Sequence, residues 1–383
     1  MSSVTTDALR PGLAPGADRP TAATRVEGTL AAPRARLRQA IVVLCLLAVP
    51  LTAARSWQLV WQPLIPLALL YCNVHTVARV QTAAVLLLLM LGAAVTTYRV
   101  GMAVPDWPGT FSENMWTFPL SDMLERGYGV TLEHTHRLWA SGVGLVAICQ
   151  VLVAHIQRER RAVVALSWAA LVAISFQGLL GGTRVLENSQ HLAFLHGALA
   201  QAVFAVVVVG LIVSSRRWRA APQFACKDAA PLRKAAALAT LFVYVQIVLG
   251  AATRHSGANL PLGLHLTLAI GVLVLVTILI GRLGRAHQRG VEAGEDRGVL
   301  RTLRIATVAA LHTQILLGIL VTVGIFMLSG GFEAQVSVGE AVFASLHVAG
   351  GAVLLATCVA GSLWSWRLLA PGSVRPQSIG GAS

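Results

Sequence analysis

Long, nearly uncharged apolar runs constrain the fold of this chain more than any single motif. They lie at roughly 39–54, 57–74, 80–99, 133–155, 162–183, 190–214, 235–253, 260–281, 303–328 and 341–366. About 20 apolar residues in a helix cross the hydrocarbon core of a bilayer. Inside that core only helices and closed barrels satisfy every backbone N–H and C=O. The runs lack the alternation of barrel strands, so helices are expected. Composition agrees, with 56% hydrophobic and 12% charged residues. The expected fold is an all-α polytopic membrane protein.

The first run is short, and the second carries Pro63 and Pro66. These two are expected to form an extra N-terminal helical hairpin around Arg55, within 39–78. The other eight form the core. Residues 1–38 are rich in Ala, Pro, Thr and Arg and read as a disordered cytoplasmic tail. They lack the early apolar stretch of a cleaved signal peptide.

Charge predicts the orientation. With both termini inside, only Arg55, Arg99, Arg126, Arg137, Arg184 and Arg254 of the 30 Lys and Arg face outward. The acidic residues divide evenly. A Lys/Arg bias without an acidic bias is the positive-inside pattern. The net charge of +14 therefore reports topology. The basic residues are dispersed over loops, so no nucleic-acid partner is expected, and membrane lipid is. Residues 215–234 form a cytoplasmic linker, 284–300 a polar cytoplasmic loop, and 367–383 a cytoplasmic tail. Cys45, Cys72, Cys149, Cys226 and Cys358 all avoid the outer loops, so no structural disulfide is expected.

The chain also repeats itself weakly. Gln177-Gly-Leu-Leu-Gly181, Gln246-Ile-Val-Leu-Gly250 and Gln314-Ile-Leu-Leu-Gly318 share one pattern, and Leu89-Met-Leu-Gly92 keeps its Leu-Gly part. After each, the chain turns on the outer side and returns in a helix bearing a histidine. Leu and Gly are common in membrane helices, where Gly permits close packing. The recurring Gln with a downstream His nevertheless points to duplication, with halves at 79–214 and 235–366.

Four histidines, His136, His196, His265 and His347, sit near the same end of their runs. Ionisable residues in lipid are costly and usually functional, and imidazole is a common axial ligand of haem iron. One such histidine alone is more often a satisfied core residue. Four at matched depth, two per half, point to two buried cofactor sites. Glu133 lies three residues before His136, on the same helix face. It could orient the imidazole, accept protons or stabilise positive charge. Arg137 could pair with an anionic carboxylate. A polar helix start would explain the same residues equally well. His134, His191, His255, His75, His155, His287 and His312 are weaker candidates. The long loop 100–131 carries Pro105-Asp-Trp-Pro108, and long ordered loops often cap sites.

At these residues the chain resembles the haem A synthase family of cytochrome oxidase assembly proteins. The shared features are Glu133-x-x-His136-Arg137, Leu195-His-Gly-Ala198, the turns Thr97–Pro108 and Gly250–Gly257, and the layout of the four histidines. The resemblance covers about 80–366. It implies eight core helices in two homologous halves, and oxidation of a haem O methyl group to the formyl group of haem A. It further implies that His136 and His196 hold the substrate haem iron in the first half, where Arg137 also binds the haem and Glu133 is catalytic. His265 and His347 would hold a haem b cofactor in the second half. A haem O synthase and a membrane electron donor would be partners, in a bacterial-type plasma membrane, and a homo-oligomer is compatible with this. A diheme b-type electron carrier would use the same four histidines.

Overall fold

The computed structural model describes residues 68–256, 259–294, 298–324 and 336–372. The expected tail 1–38 and most of the expected hairpin lie outside the described residues. Among the described residues, eight helices are long and apolar enough to cross a membrane, and the chain is an integral multi-pass membrane protein. They are α1 (Val74–Thr97), α2 (Tyr128–Ile156), α3 (Arg161–Leu186), α4 (Gln190–Ser214), α5 (Ala229–Ser256), α6 (Asn259–Glu292), α7 (Val299–Val323) and α8 (Val338–Leu368).

Local chemistry sets several helix ends. The Asn73 side chain accepts a hydrogen bond from Thr76 N and starts α1, so the helix begins before the apolar run at 80. Gly127, at φ 96°, turns the chain into α2 through a conformation that suits glycine. Ser189 caps α4 by accepting from Leu192 N. Ser337 and Glu340 form a reciprocal capping box at the start of α8. The helix α6 continues to Glu292, well into the stretch expected as a polar loop. Ala286 and Gly290 are buried there, while Arg282 and Arg289 both ion-pair with buried Asp228. A polar helix face anchored by two such pairs carries no apolar signal, so the run ended too early in the sequence.

The helices form two closed rings. In the first, α1 packs on α2, α2 on α3, α3 on α4 and α4 back on α1; α5 to α8 repeat this order in the second. The rings join along α1, α4, α5 and α8. Lipid tails are as apolar as the side chains, so small residues and close packing drive such contacts. Ala352 of α8 enters a cluster with Val85, Leu89, Val143, Phe204 and Val207 of the first ring. The second ring has its own apolar core, including Ala236, Ala239, Val276, Leu279, Leu355 and Cys358. At the end away from the four histidines, Phe224–Ala225 pairs in parallel with Leu369–Ala370, tying the linker to the segment after α8. Nothing in the sequence pattern announced that two-residue pairing.

Candidate functional site

The repeated Leu-Gly motif has a clear structural purpose. Each of its glycines faces one of the four histidines across a helix pair. A Cβ added at Gly92 would stand 3.0 Å from His136 Cε1, and one at Gly181 2.9 Å from His196 Cε1. At Gly250 the distance to His265 Cε1 would be 3.0 Å, and at Gly318 3.2 Å to His347 Cε1. Real Cβ atoms rarely approach this closely, so each imidazole lies on bare backbone. The pairings are α1 with α2, α3 with α4, α5 with α6, and α7 with α8.

The glutamines of the same motif grip the histidine helices. Gln246 Nε2 donates to His265 O at 2.8 Å, and His265 Nδ1 lies 3.0 Å from Gln246 O. That backbone bond fixes the tautomer and leaves Nε2 as the ligating nitrogen, the usual arrangement around metal-bound imidazole. Gln177 Nε2 likewise donates to His196 O. Gln314 departs from the pattern, with Nε2 3.4 Å from His347 Nε2. The Nδ1 atoms of His136, His196 and His347 are buried without a hydrogen-bond partner.

In the second ring the His265 and His347 ring centroids are 6.4 Å apart, with planes at 77°. Metal–imidazole nitrogen bonds are about 2 Å and the ring centre lies roughly 1 Å further, so two axial rings stand roughly 6 Å apart. In the first ring His136 and His196 lie within electrostatic reach of each other. Among the described residues no group of three or more His, Cys, Asp and Glu is placed to hold a bare ion. A haem needs only one or two axial imidazoles, because the porphyrin supplies the other ligands. The donor set and spacing of the second ring therefore fit haem, and the first ring offers the same pair of imidazole donors.

The loop between α1 and α2 closes over the first ring. Glu133, 2% exposed, accepts from Val104 N at 2.9 Å and from Arg137 Nη2 at 2.7 Å. Arg137 also donates to the carbonyls of Val104, Asp106 and Gly109. Both terminal nitrogens of Arg137 are thus taken by the loop and Glu133. Asp106 accepts from Phe111 N and Ser112 N. Burial works to raise its carboxyl, but these N–H donors outweigh that and hold it below its usual range. Trp107 lies on Gly182, next to the glycine beneath His196, and a Cβ at Gly182 would overlap its indole.

The remaining histidines divide clearly. His134 is fully buried, 3.1 Å from Thr110 Oγ1, and packs on Phe118, so it holds the loop. His191 is exposed, and His312 is exposed with Nδ1 on Val308 O of its own helix. His75 pairs with Ser214, and His155 with Trp168, at the far end. His255, in contrast, packs across the ring boundary against Gly197. Two cations near the site escaped the sequence reading, Arg184 and the spanning role of Arg254. Arg254 Nη2 reaches Ala93 O at 2.7 Å and Thr97 Oγ1 at 2.6 Å, bracing α5 against α1. The signal was present as Gly-Gly-Thr183-Arg184 and Gly-Ala-Ala-Thr253-Arg254, each closing a Leu-Gly motif.

Comparison with known proteins agrees with this geometry. Residues 75–262 match the family described as cytochrome oxidase assembly protein. A curated relative, "Heme A synthase" of Alkalihalophilus pseudofirmus, is 31% identical over 182 residues. That match covers 46% of this chain and 58% of the relative. The family match ends at residue 262, before His265 and His347. The reading of those two histidines rests on the repeated glycine seats.

Proposed function

We propose that this chain, which through residues 75–262 belongs to the cytochrome oxidase assembly protein family, is a haem A synthase that oxidises a methyl group of haem O to a formyl group. The single observation that carries the reading is the fourfold glycine–histidine seat, two seats per ring, with, among the described residues, a buried Glu133 and a covering loop at the first ring. A pure electron carrier has no use for that carboxylate.

His136 and His196 would hold the substrate haem, and His265 and His347 a haem b. Bound haem supplies one-electron redox chemistry at iron. The chain supplies the rest. His265 is oriented by the Gln246 backbone, and its ring cannot slide off Gly250 without losing that bond. The 100–131 loop, clamped by Arg137, excludes water from the first ring. Glu133 sits one turn before His136 with its oxygens fixed by Arg137 and Val104. A carboxylate so fixed suits stabilisation of positive charge developing beside the methyl carbon. The Lys/Arg distribution supports a topology with both termini cytoplasmic and the histidine end outward.

The test is haem extraction after co-expressing the full chain with a haem O synthase. Haem A should appear with the wild type and be lost in Glu133→Gln. Haem b in the protein with no haem A from the wild type would leave the electron-carrier reading standing instead. Haem A formation intact in Glu133→Gln would remove Glu133 from the chemistry.

A further inference from the structure

The first-ring site lacks an obvious partner for the acidic edge of its ligand. Arg137 was the sequence candidate, but its guanidinium is spent on three loop carbonyls and Glu133. Arg184 is the cation left over. It lies three residues beyond Gly181, on the same face of α3 and one turn further toward the covering loop. His196 rests on Gly181, so Arg184 stands directly beyond that imidazole. Both His136 and His196 feel its charge.

The placement of Arg184 is built rather than incidental. Its guanidinium lies flat on Gly101, where an added Cβ would come within 2.8 Å of Nη2 and 3.0 Å of Nη1. Among the described residues, its one hydrogen bond is from Nη2 to Gly101 O at 2.6 Å, and the Glu133 carboxylate, already held by Val104 N and Arg137, acts on it only through space. Guanidinium donors in a dry site call for an anion, and the planar fork matches a carboxylate. A second donor converges from the other ring. The His255 ring packs against Gly197, where its Nε2 would stand 3.4 Å from an added Cβ. It is the neighbour of Arg254, which braces α5 on α1, so its position is held from both sides.

We infer that Arg184 and His255 together form the carboxylate seat of the first ring, binding the propionates of the porphyrin that His136 and His196 ligate, with one donor from each half of the chain. This rests on the haem reading above. The site is shared between the rings, so the second ring completes the substrate site of the first. Gly101 and Gly197 are the cradles that let the guanidinium and the imidazole donor reach it. Arg137 instead serves the covering loop.

The test compares haem with haem dimethyl ester, in which both carboxylates are blocked. The full chain is prepared without haem in detergent and titrated with each, following the Soret band, in a His265→Ala/His347→Ala background that isolates the first ring. The unaltered seat should prefer the free acid by about 10- to 100-fold. Arg184→Gln should lose most of that preference while still binding the ester as before, and Arg184→Lys should restore part of it. His255→Gln should lose a smaller share. A merely structural role for Arg184 would weaken acid and ester alike. Preference kept in Arg184→Gln, or lost only in Arg137→Gln, overturns the inference. Failure of the unaltered seat to bind either compound would instead overturn the haem reading itself.

Discussion

The seat argument makes its sharpest prediction at Gly181. Gly181→Ala places a Cβ 2.9 Å from His196 Cε1 and 3.2 Å from Nδ1. Alanine favours the helix over glycine by about 0.5–1 kcal/mol. Overpacking costs about 1–3 kcal/mol. The helix term is common to the empty and the loaded protein and cancels in binding, whereas the overpacking term differs between them. Without ligand, the imidazole can swing a few tenths of an ångström and the helix gain prevails, so the empty protein should be equal or slightly more stable. With iron bound to Nε2, the ring cannot move, and the overpacking term applies in full. That penalty of about 1–3 kcal/mol falls on ligation and weakens haem binding roughly 5- to 150-fold. Gly178→Ala is the control, because nothing lies within 4 Å of its added Cβ. Gly318→Ala should be milder, since its closest approach is 3.2 Å and the next 3.7 Å. The assay is haem-to-polypeptide ratio by pyridine haemochrome, alongside thermal unfolding in detergent. Equal haem loss in Gly178→Ala and Gly181→Ala, or full retention in Gly181→Ala, would refute the reasoning.

Three further outcomes follow from other parts of the molecule. Arg137→Ala leaves three loop carbonyls and Glu133 without their donor; losing such a buried charged partner costs about 3–5 kcal/mol, and faster amide exchange across 100–131 should report it. Asp106 has a folded carboxyl below its unfolded value of about 3.9, so its contribution is present above that pH and lost as pH falls through the folded value; Asp106→Asn should flatten the acid side of the loop's stability profile, measured by limited proteolysis against pH. Reporter fusions after Arg160 and after Asn188 should report inside and outside respectively, and the reverse result would overturn the proposed topology.

The fold was legible because lipid imposes one rule on every span. Runs such as 190–214 coincide with a helix of the structure at both ends. The rule fails where a helix leaves the lipid, as α6 does beyond 281, because ion pairs to Asp228 together with a few buried residues such as Leu283 and Ala286, not a continuous apolar run, extend it. The site was partly legible. The spacing of 19 residues from Gln177 to His196 and from Gln246 to His265 marked real contacts, since each glutamine bonds the carbonyl of its histidine. The accompanying glycines looked like ordinary membrane packing, because sequence shows that Gly permits close approach but not what approaches. Arg137 and Arg184 were indistinguishable as outer cations. The structure shows that one has both terminal nitrogens on loop carbonyls and Glu133, while the other, among the described residues, bonds only Gly101 O. His134 and His136 are likewise two residues apart, yet one holds a loop and the other lies on Gly92.

The pairing of the histidines is tested most directly by haem stoichiometry and ligation spectra of single His→Ala variants of the purified full chain. Wild type should hold two haems per chain when haem is supplied. His265→Ala and His347→Ala should each perturb the same haem and leave the other unchanged. His136→Ala and His196→Ala should each perturb the remaining one. If a single substitution strips both haems, if His265→Ala and His136→Ala affect the same haem, or if all four variants keep wild-type spectra, the two-seat-per-ring account is wrong.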